Sequence, residues 1–226
     1  MGVFDFFKKN SEPIPVEEVS SIKQHSEMYT KFINIINGTG YNRLGGIPKH
    51  LLNEVYDWER EEVENIVWNR FLNNDMDMTF YLPHLTFFQP TETVKNKLGE
   101  YKIPSRQSVQ LSYTMYKLTK EQDYLNIVKN NIEKKTERTS YIALVLQDFE
   151  KNDENIYNLL RELYVNVADL EELCLIEDGL FFCKGIISSL FAVQTDEEIN
   201  DLSRKYFSED IEERKNLIDE FEKEFG

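Results

Sequence analysis

Residues 149–160 read FEKNDENIYNLL: an apolar residue, a polar knot at Lys151-Asn152-Asp153, then a new apolar run. Asp153 can accept hydrogen bonds from the first free amides of a following helix, so the knot reads as a turn between two helices. Shifting the chain by 31 residues shows that the unit recurs. Leu111 falls on Ile142, Met115 on Leu146 and Leu118 on Phe149; beyond the knot, Leu125 falls on Ile156, Val128 on Leu159 and Ile132 on Leu163. Apolar residues before each knot are spaced four and three apart, and those after it three and four, as on one face of a helix. Each unit therefore reads as helix, turn and second helix, and Asp123 can accept from the first free amides of the second helix in the earlier copy.

A further step of 31 reaches Leu173, Leu180, Ile187 and Leu190, but also Glu177 and Gln194, a weaker third copy. Upstream, FLNNDMDM at residues 71–78 gives a similar break after Val63, Ile66, Val67 and Phe71. The segment through Pro83, Pro90 and Gly99 separates it from the regular repeat. A single helix pair cannot bury its own apolar face, so such copies stack side by side.

Over roughly residues 47–194 this pattern resembles the HEAT and armadillo class of helical-repeat proteins. The resemblance implies an all-α fold, an irregular right-handed α-solenoid of stacked antiparallel helix pairs; an irregular helical bundle is the alternative. The expected organisation is an N-terminal segment over residues 1–15, docked or partly flexible, followed by one helical-repeat domain over 16–226. Within it, residues 16–46 form an N-terminal cap, 47–194 the repeat pairs and 195–226 an acidic C-terminal cap. Val16, Val19, Ile22, Met28 or Tyr29, Phe32 and Ile36 trace the first helical face, with Gly38 placed to end it. Pro48 suits the first turn of the next helix. Ser208 offers a start to a last helix carrying Ile211, Leu217 or Ile218, Phe221 and Phe225, with a strongly charged outer face.

With 41% hydrophobic and 13% aromatic residues, the chain can bury a sizeable interior, and nine glycines and six prolines suit helices better than many strands. No run approaches the length of a membrane span, and MGVFDFFKKN lacks the apolar core of a signal peptide, so a cytoplasmic protein without stable membrane insertion is expected. Phe4, Phe6 and Phe7 read as a docked segment or a weak amphipathic anchor. Cys174 and Cys183 read as two buried free thiols in a reducing compartment.

The formal charge of −15 is concentrated. Residues 148–178 hold ten acidic against two basic residues, residues 196–226 twelve against five, and the remainder balances. Such a surface disfavours nucleic acid, whose phosphates need Lys and Arg, and attracts a basic protein surface; the alternative role for the charge is solubility.

Candidate chemistry is sparse. His50 and Glu54 share a helical face without a further ligand in register, His84 follows Pro83 near a helix end, and His25 reads as a partly buried residue beside the first helix. Adjacent carboxylates such as Glu61-Glu62 and Glu171-Glu172 diverge around a helix. GTGYNRLGG at residues 38–46 lacks the Lys and Ser/Thr of a phosphate loop. No catalytic residue, metal site or cofactor is expected. Trp68 adjoins the buried stripe of its helix, whereas Trp58 reads as an exposed anchor or a packing residue.

In size, acidity and the run from LGGIPKHLLNEVYDWEREEVENIVWNRF at residues 44–71 into the repeats, the chain resembles the small acidic immunity proteins of bacterial toxin systems. That resemblance implies a non-catalytic module that neutralises a cognate toxin by covering its active or substrate surface. A scaffold or regulatory adaptor is the alternative, and a metal-dependent enzyme a third. The candidate partner-binding residues are Asp153, Glu154, Glu162, Asp169, Glu171, Glu172, Glu177 and Asp178, with Tyr157 or Tyr164 as anchors; the partner would be a basic protein, a cognate toxin foremost.

Overall fold

A computed structural model describes residues 24–38, 50–136, 138–190 and 197–226, and among them every regular element is helical. In chain order these are α1 (Glu27–Asn37), α2 (Leu51–Glu54), α3 (Asp57–Leu72), α4 (Thr91–Glu100), α5 (Arg106–Thr119), α6 (Gln122–Glu133), α7 (Ile142–Leu146), α8 (Glu154–Asn166), α9 (Leu170–Cys183), α10 (Glu197–Tyr206) and α11 (Ile211–Phe225). Two 3₁₀ turns, Met76–Phe80 and Leu82–His84, connect α3 to α4. Phe4, Phe6, Phe7, Val16, Val19, Ile22, Pro48 and Gln194 lie outside the described residues.

The turn at 151–153 forms as its sequence suggests. Asp153 caps α8, its carboxylate accepting from the amides of Asn155 and Ile156. It also accepts the Tyr116 hydroxyl at 2.7 Å, which ties the turn to α5. In the earlier copy Glu121 stands at the N-cap without a side-chain bond and Asp123 lies inside the first turn, so Asp123 is not the cap. α1 ends at Gly38 as expected, the Gly38 amide donating to Asn34 and Ile35 carbonyls. Its start is later than the apolar face suggested, because Ser26 stops the helix there: its hydroxyl accepts the Tyr29 amide. The last helix is capped by Asp210, while the Ser208 hydroxyl donates to Glu213.

First helices pack on first helices and second on second: α5 meets α7, α7 meets α9, and α6 meets α8. The third copy stops halfway. α9 supplies its first helix, but Gly185, at φ +76°, takes the left-handed turn that lets the Gly185 and Ile186 amides close on Phe182 and Phe181. The chain through Ile187 and Leu190 is not helical; α11 instead packs against α8.

α5 divides two apolar cores. Leu111 and Met115 join Phe32, Val63, Val67, Phe71 and Val94 on one side. Val109, Tyr113 and Tyr116 join Ile156, Leu160, Ile176 and Phe221 on the other. Every residue from Ser108 to Tyr116 is consequently buried, although Ser108, Gln110, Ser112 and Thr114 read as a polar face. Thr114 donates to the Gln110 carbonyl within the helix and Ser108 donates to Asn131 at 2.6 Å on α6, but the Gln110 amide nitrogen and Ser112 hydroxyl are left without partners. On α9, Gly179 lets the helix come close: a Cβ there would stand 3.0 Å from Leu160 and 3.1 Å from Leu146.

Candidate functional site

Two helix ends in this protein, the start of α7 and the end of α8, are closed by a carboxylate and a cation that reach across from other helices, and this determines which charges remain for a partner. Glu172 is fully buried in the first turn of α9. Its carboxylate accepts from the amides of Tyr141 (2.5 Å) and Ile142 (2.9 Å) at the start of α7, from the Ser140 hydroxyl (2.9 Å) and from the Lys135 ammonium (3.1 Å). It is the N-terminal anchor of α7, a carboxylate at the positive end of a helix. Asp169 caps α9 itself and pairs with Lys135 at 3.0 Å. Burial pushes the Asp169 pKa up, but the Glu172 amide and Lys135 outweigh it and hold the group below the usual range.

Three of the proposed surface residues are therefore interior. Glu172 is consumed by the α7 anchor. Tyr164 is buried and its hydroxyl donates to the Tyr206 carbonyl, so it closes the packing of α8 on the C-terminal helices and cannot serve as an exposed anchor. Glu177 is only 4% exposed, since α9 buries more than one face. Adjacent Glu171 is exposed; the neighbouring carboxylates diverge as expected, and the second points inward.

Glu177 faces a cavity of about 10 Å³ lined by Tyr164, Leu180, Phe181, Tyr206, Ile218 and Phe221, at the lower limit for one water molecule. Its Oε1 has no partner. Burial, reinforced by adjacent Asp178, pushes its pKa up to about 8 against a weaker opposing hydrogen bond from Ser203. Burial alone raises Asp178. A carboxyl held neutral in an apolar niche is a proton-bearing group in principle, but this niche admits no substrate-sized molecule.

The remaining residues of the set stay at the surface with different commitments. Tyr157 is half-buried, donates to Glu222 at 3.2 Å and lies under the Lys184 ammonium, 4.7 Å from its ring. Asp153 is partly buried in the α8 cap; Glu162 is exposed and paired with Lys129 at 2.6 Å. Glu154 and Glu171 are exposed, and Asp178 is partly exposed.

The acidic surface shifts toward α11, which the sequence marked as a charged outer face without placing it in the site. Glu212, Glu213, Asp219 and Glu220 are exposed along this helix. Its Arg214 is turned inward and 1% exposed, donating to the Tyr164 and Val167 carbonyls (3.0 and 2.6 Å) at the end of α8. A cation closing a helix C-terminus is favourable, and its burial leaves the outer face of α11 more negative than its sequence. Arg161 joins α8 to α11 through Glu222 at 2.7 Å and Asp219 at 3.6 Å.

In the N-terminal half, Glu64 is equally committed: burial raises its pKa, but the Phe87 and Thr86 amides, Arg60 and the Thr86 hydroxyl outweigh this and hold it below the usual range. His25 precedes α1 and is 39% exposed, more accessible than expected for a partly buried residue. Cys174 is exposed and Cys183 half-buried, so the reading of two buried thiols holds for neither in full. Trp68 is half-buried, stacked on Phe88, and Trp58 is 40% exposed. Among the described residues no cluster of His, Cys, Asp and Glu has the arrangement of a metal site, and no helix is long and apolar enough to cross a membrane.

Comparison with protein-family models, curated proteins and solved structures finds no match for this chain.

Proposed function

We propose that this is a non-catalytic cytoplasmic module that binds a basic protein partner through the acidic face of α8 and α11, with neutralisation of a cognate toxin as its activity. The carrying observation is the balance of charge on α11: Arg214 is buried as a helix cap, while Glu212, Glu213, Asp219 and Glu220 stay exposed and outnumber the exposed Lys215, which pairs with Glu212, and Lys223. In this reading the stacked pairs α5–α6 and α7–α8 form a short HEAT-like solenoid whose end helix presents the partner surface. The non-catalytic reading is supported by the commitment of Glu59, Glu64 and Glu172 to hydrogen bonds within the fold. Exposed carboxylates chiefly speed encounter with a basic partner and make binding salt-sensitive.

The test is affinity capture from the native host with wild-type protein and the Asp219→Lys, Glu220→Lys variant, at low and high salt. One stoichiometric basic protein, released by salt and lost with the variant, supports the proposal; an identical set with both baits contradicts it. Glu172→Lys is unsuitable for this purpose, because it would remove the α7 anchor instead of probing the surface.

A further inference from the structure

A row of aromatic side chains lies toward the other end of the chain, outside the two acidic segments. Four rings form a ledge where α1 meets the start of α3. Tyr29 stacks on His25 with centroids 3.8 Å apart and planes 14° from parallel. His25 is 5.1 Å from Trp58, which is 6.4 Å from Tyr56 at an interplanar angle of 30°. Tyr56 is 54% and Trp58 40% exposed, a large outlay of aromatic surface for a position with so many charged neighbours.

One buried carboxylate holds this ledge in place. Glu59, with no exposed surface, accepts from the Ser26 amide (2.6 Å), the Ser26 hydroxyl (2.7 Å) and the Tyr56 amide (2.8 Å), and contacts His25 Nδ1 at 3.2 Å. Burial works to raise its pKa, but these bonds outweigh it and keep it below the usual range. The backbone at both ends of the ring row is thus tied to one point. Tyr29 is fixed further by donation to Glu62 at 2.6 Å. A partner would meet rings already arranged, which reduces the ordering cost of binding.

The electrostatics select the occupant. Glu54, Asp57, Glu61 and Glu62, all within six residues of Tyr56 in the chain, are exposed, and Glu62 touches the ledge through Tyr29. Arg60 is the sole basic residue from Glu54 to Glu62, and it is turned away into Glu64 and the carbonyls of Leu52 and His84. Aromatic faces carry negative potential, so rings and carboxylates attract the same thing. An apolar occupant would desolvate the carboxylates without pairing them, and an anion would be repelled. A guanidinium is planar, stacks on rings and binds carboxylates through two donors, whereas an ammonium offers a point charge.

We propose that the Tyr56–Trp58–His25–Tyr29 ledge is a docking site for an arginine side chain from a basic segment of a partner protein. The surface is separate from the α11 face, and its failure would leave that proposal intact.

The test uses the full chain carrying Trp68→Phe, so that tryptophan emission reports Trp58. An arginine-only hexapeptide is titrated, with a lysine-only hexapeptide alongside, and total binding is followed by calorimetry. The expected result is a saturable change in Trp58 emission, stronger for arginine than for lysine and unaffected by Asp219→Lys, Glu220→Lys. Tyr56→Ala and, separately, Glu62→Gln should each weaken it about tenfold, the loss of one desolvated ring or charge contact. Circular dichroism verifies that both variants fold; Glu62→Gln retains an acceptor for Tyr29 and so keeps the ledge intact. Calorimetric binding without a Trp58 response overturns the proposal, as does a response that both ledge variants leave at the wild-type affinity. A response abolished only by the α11 variant also overturns it, by assigning the peptide to the other face.

Discussion

Glu172 and Glu177 stand five residues apart on one helix, both buried, and do opposite things. Glu172 meets two amides, a hydroxyl and an ammonium, and anchors α7. Glu177 has an oxygen facing apolar rings across a small cavity, and its proton is retained near neutrality. Burial is common to both; the difference lies in whether another segment brings donors. Loop 140–142 ends where Glu172 points, whereas α10 and α11 bring Glu177 one hydroxyl, that of Ser203, and otherwise Tyr206, Ile218 and Phe221, leaving Oε1 unpaired. A buried carboxylate is therefore a clamp or a liability according to its neighbours' backbone, not its depth.

The largest effect that can break this contrast is at the clamp. Glu172→Gln replaces an acceptor oxygen by a carboxamide NH2, a donor facing the Tyr141 or Ile142 N–H donor, and weakens the pairing of Lys135, at a cost of about 3 kcal/mol. Urea unfolding should show this as a lower midpoint with local loss of amide protection at α7. Arg214→Met should follow at about 2 kcal/mol, because two carbonyls at the end of α8 lose a charged donor while most of the side-chain volume is retained. Its measurable sign is faster hydrogen exchange around Tyr164 to Val167.

At Glu177 the sign reverses. Glu177→Met keeps the volume and removes the unpaired oxygen, and should stabilise the fold at pH 7 by about 1–2 kcal/mol. The pH dependence sharpens this. The folded pKa, about 8, lies above the ordinary 4.5, so the folded protein holds a proton that the unfolded chain has released. Wild-type stability should consequently fall as pH rises from about 4.5 to about 8 through this group, and Asp178 acts in the same sense. Glu177→Met should flatten that slope in part, leaving the Asp178 contribution. Glu59 and Glu64 have depressed pKa values and act oppositely: their stabilisation is present above the ordinary glutamate range and is lost as pH falls below it. Smallest of all, Glu171→Gln, one residue from the clamp but exposed, should leave the urea midpoint unchanged.

The sequence makes part of this visible. The repeated pairs around 119–122 and 151–153 form, and Asp153 caps α8 as its spacing suggests, since these are local decisions of capping and period. The expected all-α class is what the described residues show; the solenoid itself belongs to the proposal. What was hidden depends on second faces. α5 reads as half polar, yet two cores close over it, because periodicity shows which face is apolar but not what covers the other. Glu172, Glu177 and Tyr164 read as surface for the same reason. Buried Arg214 and exposed Lys215 look alike in a charge tally, and only packing against α8 separates them. The ledge was half legible: Trp58 was marked as an anchor or a packing residue. Tyr29 and His25 lie about thirty residues away and join it through Glu59, Glu62 and the ring of Trp58. Charge counted by segment also concealed the acidic run at Glu54 to Glu62, which basic residues elsewhere in the sequence balance.

The central claim is that interior carboxylates in this protein are assigned by their donors, leaving partner recognition to the surface. Paired urea titrations of Glu172→Gln and Glu177→Met at pH 7, against wild type, test it most directly. Opposite signs are predicted, a loss for the first and a gain for the second. A loss at both positions would show Glu177 to be a structural or functional partner in its own right, and would contradict the account.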